Sequence, residues 1–368
     1  MMNSRSRQQG LSLIELMIAI AIGLGLLAGL TTVFVNSARS QAELTRASQQ
    51  IENGRFATQL LQDDVWHAGF YGRHVAYIPV PPPPLPIPLP AALPDPCSTN
   101  TDTGTPAPTP LQNALAFAVQ GYNDVAAVPA ALATCLSGAN LMAGTDILVV
   151  RRAESRPIAL ASLNADSLYL QSVAEAYDPV SLQPMRPVIA KGNPSSAFNQ
   201  TSPTTGELGD IRRYRVHIYF ISPCSVPAAP ATTCTAAADG NRPIPTLKRL
   251  ELAADGTFQI VPLVEGIENL QVDYGIDTVP AALPANAPYA GDGMPDSFIA
   301  APTVAQFTQV IALRLFLLAR ATEPSASYTD DKSYDLGLHG TVAPGGPYKR
   351  HVFTTLVRVQ NVAGWREK

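Results

Sequence analysis

Few side chains in this sequence have the type and spacing to do chemistry, and the first is one carboxylate. Glu15 sits in an otherwise apolar run from Leu11 to Val35. A charge about one turn into a membrane-length helix costs roughly 2.5–3.5 kcal/mol, so it calls for a close partner. The second set is four cysteines, Cys97, Cys135, Cys224 and Cys234, all downstream of that run. In an oxidising compartment they are expected to form structural disulfides. Four cysteines permit three connectivities. The sequential one is adopted, with Cys97–Cys135 closing 37 intervening residues and Cys224–Cys234 closing nine. Neither pair has the short spacing of a zinc site.

The third set is Asp277 with Asp292 and Asp296 in Gly291-Asp292-Gly293-Met294-Pro295-Asp296. Alternating Asp and Gly lets oxygens converge on Ca²⁺, which wants six to eight of them. The full EF-hand loop is absent, so an Asp-Gly turn is the expectation and Ca²⁺ the alternative; no other cofactor is expected. Catalysis finds little support. His67, His74, His217, His339 and His351 show no H-E-x-x-H spacing, no serine lies in a G-x-S-x-G elbow, and Pro344-Gly345-Gly346-Pro347 reads as a turn rather than a phosphate loop. A net charge of −4 gives no electrostatic argument for nucleic acid. A non-enzymatic protein is expected.

The elements that must position these residues begin with a helix. Twenty-five residues from Leu11 to Val35 would span roughly 38 Å, enough to cross a bilayer, with Arg5 and Arg7 on the cytoplasmic side. No proline occurs before Pro79, so the helix is predicted to continue to Ala68. Beyond Asn36 it becomes amphipathic, with Leu44, Ala47, Ile51, Gly54, Thr58, Leu61, Val65 and Ala68 on one face and the pairs Glu43–Arg46 and Glu52–Arg55 on the wet side. Gly23, Gly25 and Gly29 each weaken it by about 1 kcal/mol relative to Ala, which suits close helix approach or local melting as well as it suits ordinary membrane-helix glycines.

Ten of the eighteen residues from Pro79 to Pro96 are proline, which reads as a stiff polyproline connector or, less simply, a ligand for an aromatic groove. From Leu111 the period changes to two. Predicted strands are Ala114–Val119, Asp146–Arg152, Ile158–Leu163, Ser167–Val173, Ile211–Ile221, Thr246–Leu252, Thr257–Pro262, Leu270–Ile276, Gln309–Ala319 and His351–Gln360. The clearest hairpin joins Leu247–Leu252 to Thr257–Val261 through Asp255-Gly256. In Arg213-Tyr214-Arg215-Val216-His217-Ile218-Tyr219 the arginines share a sheet face, and His217 is expected on the sheet surface. The domain plan is thus residues 1–10 as leader, 11–35 membrane or fibre-core helix, 36–70 amphipathic continuation, 71–110 connector and 111–368 β-rich domain. The fold class is α+β, a long N-terminal helix packed on a predominantly antiparallel, loop-rich sheet.

The run Arg7-Gln8-Gln9-Gly10-Leu11-Ser12-Leu13-Ile14-Glu15-Leu16-Met17-Ile18-Ala19 resembles the type IV prepilin signal. An ordinary secretory signal would have an apolar core of about 7–15 residues and a small-residue cleavage site, and a simple anchor leaves the Gly10–Leu11 junction and Glu15 unexplained. Leu263–Asp277, Ile311–Arg320, Tyr348–Phe353 and Val357–Asn361 are similar to segments of PilW-type minor pilins. The resemblance implies a type IV pilin-like fold and cleavage after Gly10 by the prepilin peptidase, which leaves an N-methylated Leu11 and a formal charge of −4 − 2 = −6. Glu15 would meet the Leu11 amine of a neighbouring subunit. Implied partners are other minor pilins, the major pilin, the inner-membrane assembly platform and a tip adhesin. The precursor would sit in the inner membrane with its bulk periplasmic, and the mature subunit at the surface-exposed pilus tip. Alternatives are a minor pseudopilin of type II secretion or a membrane-tethered adhesin or DNA-uptake module.

Overall fold

The computed structural model describes residues 12–73, 90–101, 109–175, 185–226, 234, 243–278 and 292–366. The chain divides into two units, Met1–Gln49 and Gln50–Lys368. Helix α1 (Leu13–Trp66) has 54 residues and runs from the first unit into the opening of the second. In the first unit, residues 12–42 are all exposed, and Glu43 and Arg46 form the predicted i,i+3 ion pair at 2.9 Å. The companion pair Glu52–Arg55 is not formed among the described residues.

In the second unit α1 buries Gln50, Gly54, Ala57, Leu61, Asp64 and Val65. The predicted stripe holds for Gly54, Leu61, Val65 and Ala68 but fails for Leu44 and Ile51, which are exposed. The cause is geometric. That stripe repeats every seven residues, and a straight helix drifts about 20° per heptad against such a repeat. Over three heptads the early members rotate off the contact face, and Gln50 and Ala57 rotate on. Gly54 is required where it stands, because a Cβ there would fall inside the ring of Phe353.

The larger sheet holds β1 (Val119–Val125), β2 (Thr145–Ala153), β3 (Leu168–Ser172), β4 (Val188–Lys191), β5 (Asp210–Ser222), β6 (Thr246–Leu252) and β7 (Phe258–Glu265). Its order is β1-β2-β5-β3-β4, with β6 on β5 and β7 on β6. The smaller sheet runs β13-β10-β8-β9, built from β8 (Ile267–Ile276), β9 (Ser297–Ile299), β10 (Val310–Arg320) and β13 (Arg350–Arg358). Strands β11 (Tyr334–Asp335) and β12 (Thr341–Val342) form a two-stranded ribbon. Every pairing is antiparallel. The hairpin at Asp255-Gly256 forms as read, with Leu252 opposite Phe258 and Gly256 at φ +78°.

Period-two alternation sends each strand to two cores. Leu148, Val150, Tyr219, Ile221 and Leu247 pack with Ala57, Leu61 and Val65 of α1 and with Leu270, Val272, Leu313 and Leu315 of the smaller sheet. The other face carries Ile147, Val149, Val216, Ile218, Phe220 and Leu250 against Tyr71, Leu111 and Leu115. Burying Leu61 and Val65 completely contributes about 1.5–3 kcal/mol each. The fold is therefore α+β, a long N-terminal helix on antiparallel sheets.

Three expectations need correction. Ala114–Val119 is not a strand. Thr109 caps a short helix, α2 (Pro110–Ala114), through a reciprocal capping box with Gln112, and β1 starts only at Val119. Ile158–Leu163 gives one 3₁₀ turn, Leu160–Ser162, because only Ile158 finds a strand partner, its N–H donating to the Ile211 carbonyl at 2.8 Å. The strand predicted to reach Gln360 stops at Arg358, and a helix takes over. That helix is α4 (Gln360–Arg366), which follows the short α3 (Val304–Phe307) in chain order. Asn361 of α4 donates to the Ala68 carbonyl at 3.2 Å, tying the chain's last helix to the end of its first. Residues 79–89 of the proline-rich stretch lie outside the described residues, whereas Pro94 is held by the Gln120 side chain at 3.1 Å.

Candidate functional site

Glu15 occupies the first turn of α1. Its Oε2 accepts the Ser12 N–H at 3.0 Å, while Ser12 Oγ accepts the Ile14 N–H at 3.2 Å. The first N–H groups of a helix have no intrahelical acceptor, and a negative charge there complements the helix dipole. This local bond uses one lone pair of the carboxylate and leaves the rest facing outward. Gly10 and Leu11 lie outside the described residues.

Behind Glu15, the large side chains from Leu13 to Phe34 are more than half exposed, and the segment is long and apolar enough to cross a membrane. A Cβ at Gly23, Gly25 or Gly29 would meet nothing within 4 Å, so this chain's own packing does not require those glycines. An uninterrupted exposed apolar surface of this kind marks an interaction site with lipid or protein.

The second unit grips its part of α1 through a polar cluster. Asp64 is buried, with Oδ1 accepting from Arg152 Nε at 2.7 Å. Its Oδ2 accepts from His217 Nδ1 at 2.7 Å and from the Tyr219 hydroxyl at 2.8 Å. Burial alone would raise the Asp64 carboxyl, but the His217 hydrogen bond and the His217 and Arg152 charges hold it well below the usual carboxylate range. Beside the cluster is an open depression lined by Leu60, Asp63, His67, Arg152, Ser155 and Arg249.

A second ionic cluster lies at the edge of the smaller sheet. Arg350 donates from Nε to Glu268 Oε2 at 2.5 Å, from Nη2 to Oε1 at 3.1 Å, and from Nη1 to Asp330 Oδ2 at 2.8 Å. Arg320 approaches Glu268 at 3.6 Å and stacks its guanidinium 4.0 Å from the centroid of Tyr348. Glu268, Arg320 and Arg350 each come from a different one of the segments singled out in the sequence, and the fold brings those segments to one point.

Comparison with known families gives two matches. Residues 233–361 match the family described as Type IV Pilus-assembly protein W, and residues 5–31 match the Prokaryotic N-terminal methylation motif. The chain is thus similar to PilW-type pilins over its distal segment and to the prepilin signal at its start. No curated protein and no solved structure matches the chain. The PilW-type match covers the β6–β7 hairpin and the whole smaller sheet, including the Glu268–Arg350 cluster. The methylation-motif match spans Gly10, Leu11 and Glu15.

The four cysteines pair as Cys97–Cys135 and Cys224–Cys234, with Cα separations of 5.9 and 5.5 Å. Closing loops of this size stabilises a domain by about 2–4 kcal/mol each. The first bridge fastens the end of the proline-rich stretch beneath the larger sheet. The three candidate Ca²⁺ ligands are each occupied by protein donors. Asp277 accepts from the Gly293 N–H at 3.0 Å, Asp292 from the Met294 N–H at 2.9 Å, and Asp296 from both donors of Thr278 at 2.7 Å. Among the described residues no group of three His, Cys, Asp or Glu side chains converges on a metal position.

His217 is not at the sheet surface as expected. It is buried under α1, on the same face as Arg213, Arg215 and Tyr219. Its neighbours explain the difference: the acid that receives it, Asp64, lies 153 residues away in sequence. The available signal was an aspartate at the apolar period of the helix, between Leu61 and Ala68. His67 and His351 are exposed, and His74 lies outside the described residues.

Proposed function

We propose that this protein is a minor subunit of the type IV pilus that primes fibre assembly at the tip together with other minor pilins and supports a tip adhesin there. The precursor is cut between Gly10 and Leu11 by the prepilin peptidase and methylated on Leu11. It waits in the inner membrane with its second unit in the periplasm, and it enters the fibre through the inner-membrane assembly platform. Its role is structural rather than enzymatic. The observation that carries this reading is an exposed apolar helix headed by one carboxylate, in a chain whose residues 233–361 match PilW. In the fibre the Leu13–Phe34 surface would be covered by other subunits, including the major pilin, and Glu15 would exchange part of its local bond for a neighbour's Leu11 amine. A close ionic partner is what a carboxylate out of water needs.

The test is a gene deletion paired with immunogold labelling of sheared fibres. Loss of pili and twitching motility with normal protein secretion, and label confined to one fibre end, are expected. Normal pili with failed secretion would assign the chain to a type II secretion pseudopilus instead. Label along the whole fibre would remove the tip role.

A further inference from the structure

On the face of the larger sheet turned away from α1 sits a buried cation with no acidic partner among the described residues. Arg151 of β2 is 1% exposed. It donates from Nη1 to the Phe117 carbonyl at 3.1 Å and from Nη2 to Gln120 Oε1 at 2.7 Å, and both acceptors are neutral. No described carboxylate pairs with it, and its neighbour Arg152 leaves the opposite face and engages Asp64. A buried guanidinium without a counter-charge is costly, and structures that keep one normally supply an anion.

Two further unpaired groups share the region. Arg151 lies opposite Val216 in the β2–β5 ladder, and Tyr214 is the next residue along on that same face. Tyr71 reaches the region from the loop after α1, its ring centroid 6.4 Å from that of Tyr214. That loop is bonded directly to β2, with the Gly69 N–H donating to the Arg151 carbonyl at 2.9 Å and the Ala153 N–H to the Phe70 carbonyl at 2.6 Å. The hydroxyls of Tyr71 and Tyr214 are both buried and have no hydrogen-bond partner. Each such orphan costs about 1–3 kcal/mol unless something accepts its proton. Neither phenol supplies the missing negative charge itself. Burial pushes Tyr71 up and Tyr214 up to about 12, against the opposing pull of Arg151.

We propose that Arg151, Tyr71 and Tyr214 bind a small inorganic anion of halide size, chloride in ordinary media. A water molecule could accept from the hydroxyls but would leave the charge uncompensated. Arg151 can only donate and both hydroxyls can, so a monatomic acceptor satisfies all three. Tyr71 and Tyr214 belong to one apolar cluster with Leu111, Leu115, Val149 and Leu170, which favours a small ion over a bulky one. The bound ion links the exit of α1, through Tyr71, to the centre of the larger sheet.

The experiment uses the full-length protein in detergent, melted in sodium chloride and in sodium gluconate at equal ionic strength and followed by tyrosine near-ultraviolet circular dichroism. The wild type should melt higher in chloride, rising by roughly 2 °C per tenfold increase once the site is filled. Crystals grown in bromide should show an anomalous peak between the guanidinium and the two hydroxyls. Arg151→Met should abolish the chloride dependence. Should that variant not fold, Tyr214→Phe, which removes one donor and little volume, should still weaken the dependence severalfold. Equal melting in chloride and gluconate, or a water without anomalous signal at the position, would overturn the proposal.

Discussion

Helix α1 is one continuous element with two different surfaces. Up to Gln49 its large apolar side chains stand exposed and its one early acid caps the first turn. From Gln50 one face is buried through Ala57, Leu61 and Val65, and the acid on that face, Asp64, is enclosed by a histidine, a tyrosine and an arginine. Both stretches carry a carboxylate in an apolar setting. One has all the partners it needs within the chain, and the other has a single backbone donor. The lesson is that burial within the subunit and exposure to future partners can be read from how fully a charge is satisfied.

The largest effect expected from breaking this contrast is at Glu15. Glu15→Ala removes a carboxylate that the subunit engages through a single backbone donor, so processing and melting should be unchanged while incorporation into sheared fibres drops by orders of magnitude. Wild-type amounts in the fibre would mean the carboxylate has no partner there. Gly10→Val should act one step earlier and leave an uncut precursor band on a gel.

At the other end of the helix the same kind of substitution should act on stability instead. Asp64→Ala leaves Arg152, His217 and Tyr219 without their shared acceptor, and breaking a buried pair in this way costs about 3–5 kcal/mol. Thermal melting should fall accordingly, with prepilin processing untouched. The pH dependence has a definite sign. The folded-state pKa of Asp64 is depressed, so its contribution is present above the unfolded carboxylate value of about 3.9 and is lost as pH falls below it. Melts of the wild type between pH 7 and pH 3 should therefore steepen at the acid end, and Asp64→Asn should flatten that slope.

Much of this was legible in advance because it is local. The apolar run, its acid, the alternating strands and the Asp255-Gly256 hairpin are carried by neighbouring residues, and the cysteine pairing follows chain order. What escaped was set by distant partners. The Asp64 cluster joins α1 to β2 and β5, and the Glu268–Arg320–Arg350 cluster joins three strands. An aspartate at the apolar period of the helix was a local hint of the first, but the partners in either cluster are not written in any residue's own neighbourhood. The α2 helix was a different failure, since Thr109-Pro110-Leu111-Gln112 is a local capping signal that the following apolar run obscured.

A smaller loss is expected where α1 meets β13. Gly54→Val would force the Phe353 ring aside, and overpacking of this kind costs about 1–3 kcal/mol. Adding Phe353→Ala to it should recover much of that loss, because the two changes act on one contact and need not be additive. Independent, additive losses would show that the helix does not rest on that ring.

The smallest effect should come from the glycines of the exposed stretch. Gly25→Ala puts a methyl group where nothing lies within 4 Å, so nothing in the subunit opposes it, and helix propensity favours it by about 1 kcal/mol. Gly54 and Gly25 thus sit on one helix for opposite reasons: the first is fixed by a contact the chain already makes, the second by none. If Gly25 serves close approach between helices in the fibre, Gly25→Ala should leave melting unchanged or slightly raised while lowering the amount of subunit in sheared fibres by a few-fold, well short of the Glu15→Ala effect. Unchanged incorporation would show that only the acid, and not the notch behind it, is read by the neighbouring subunit.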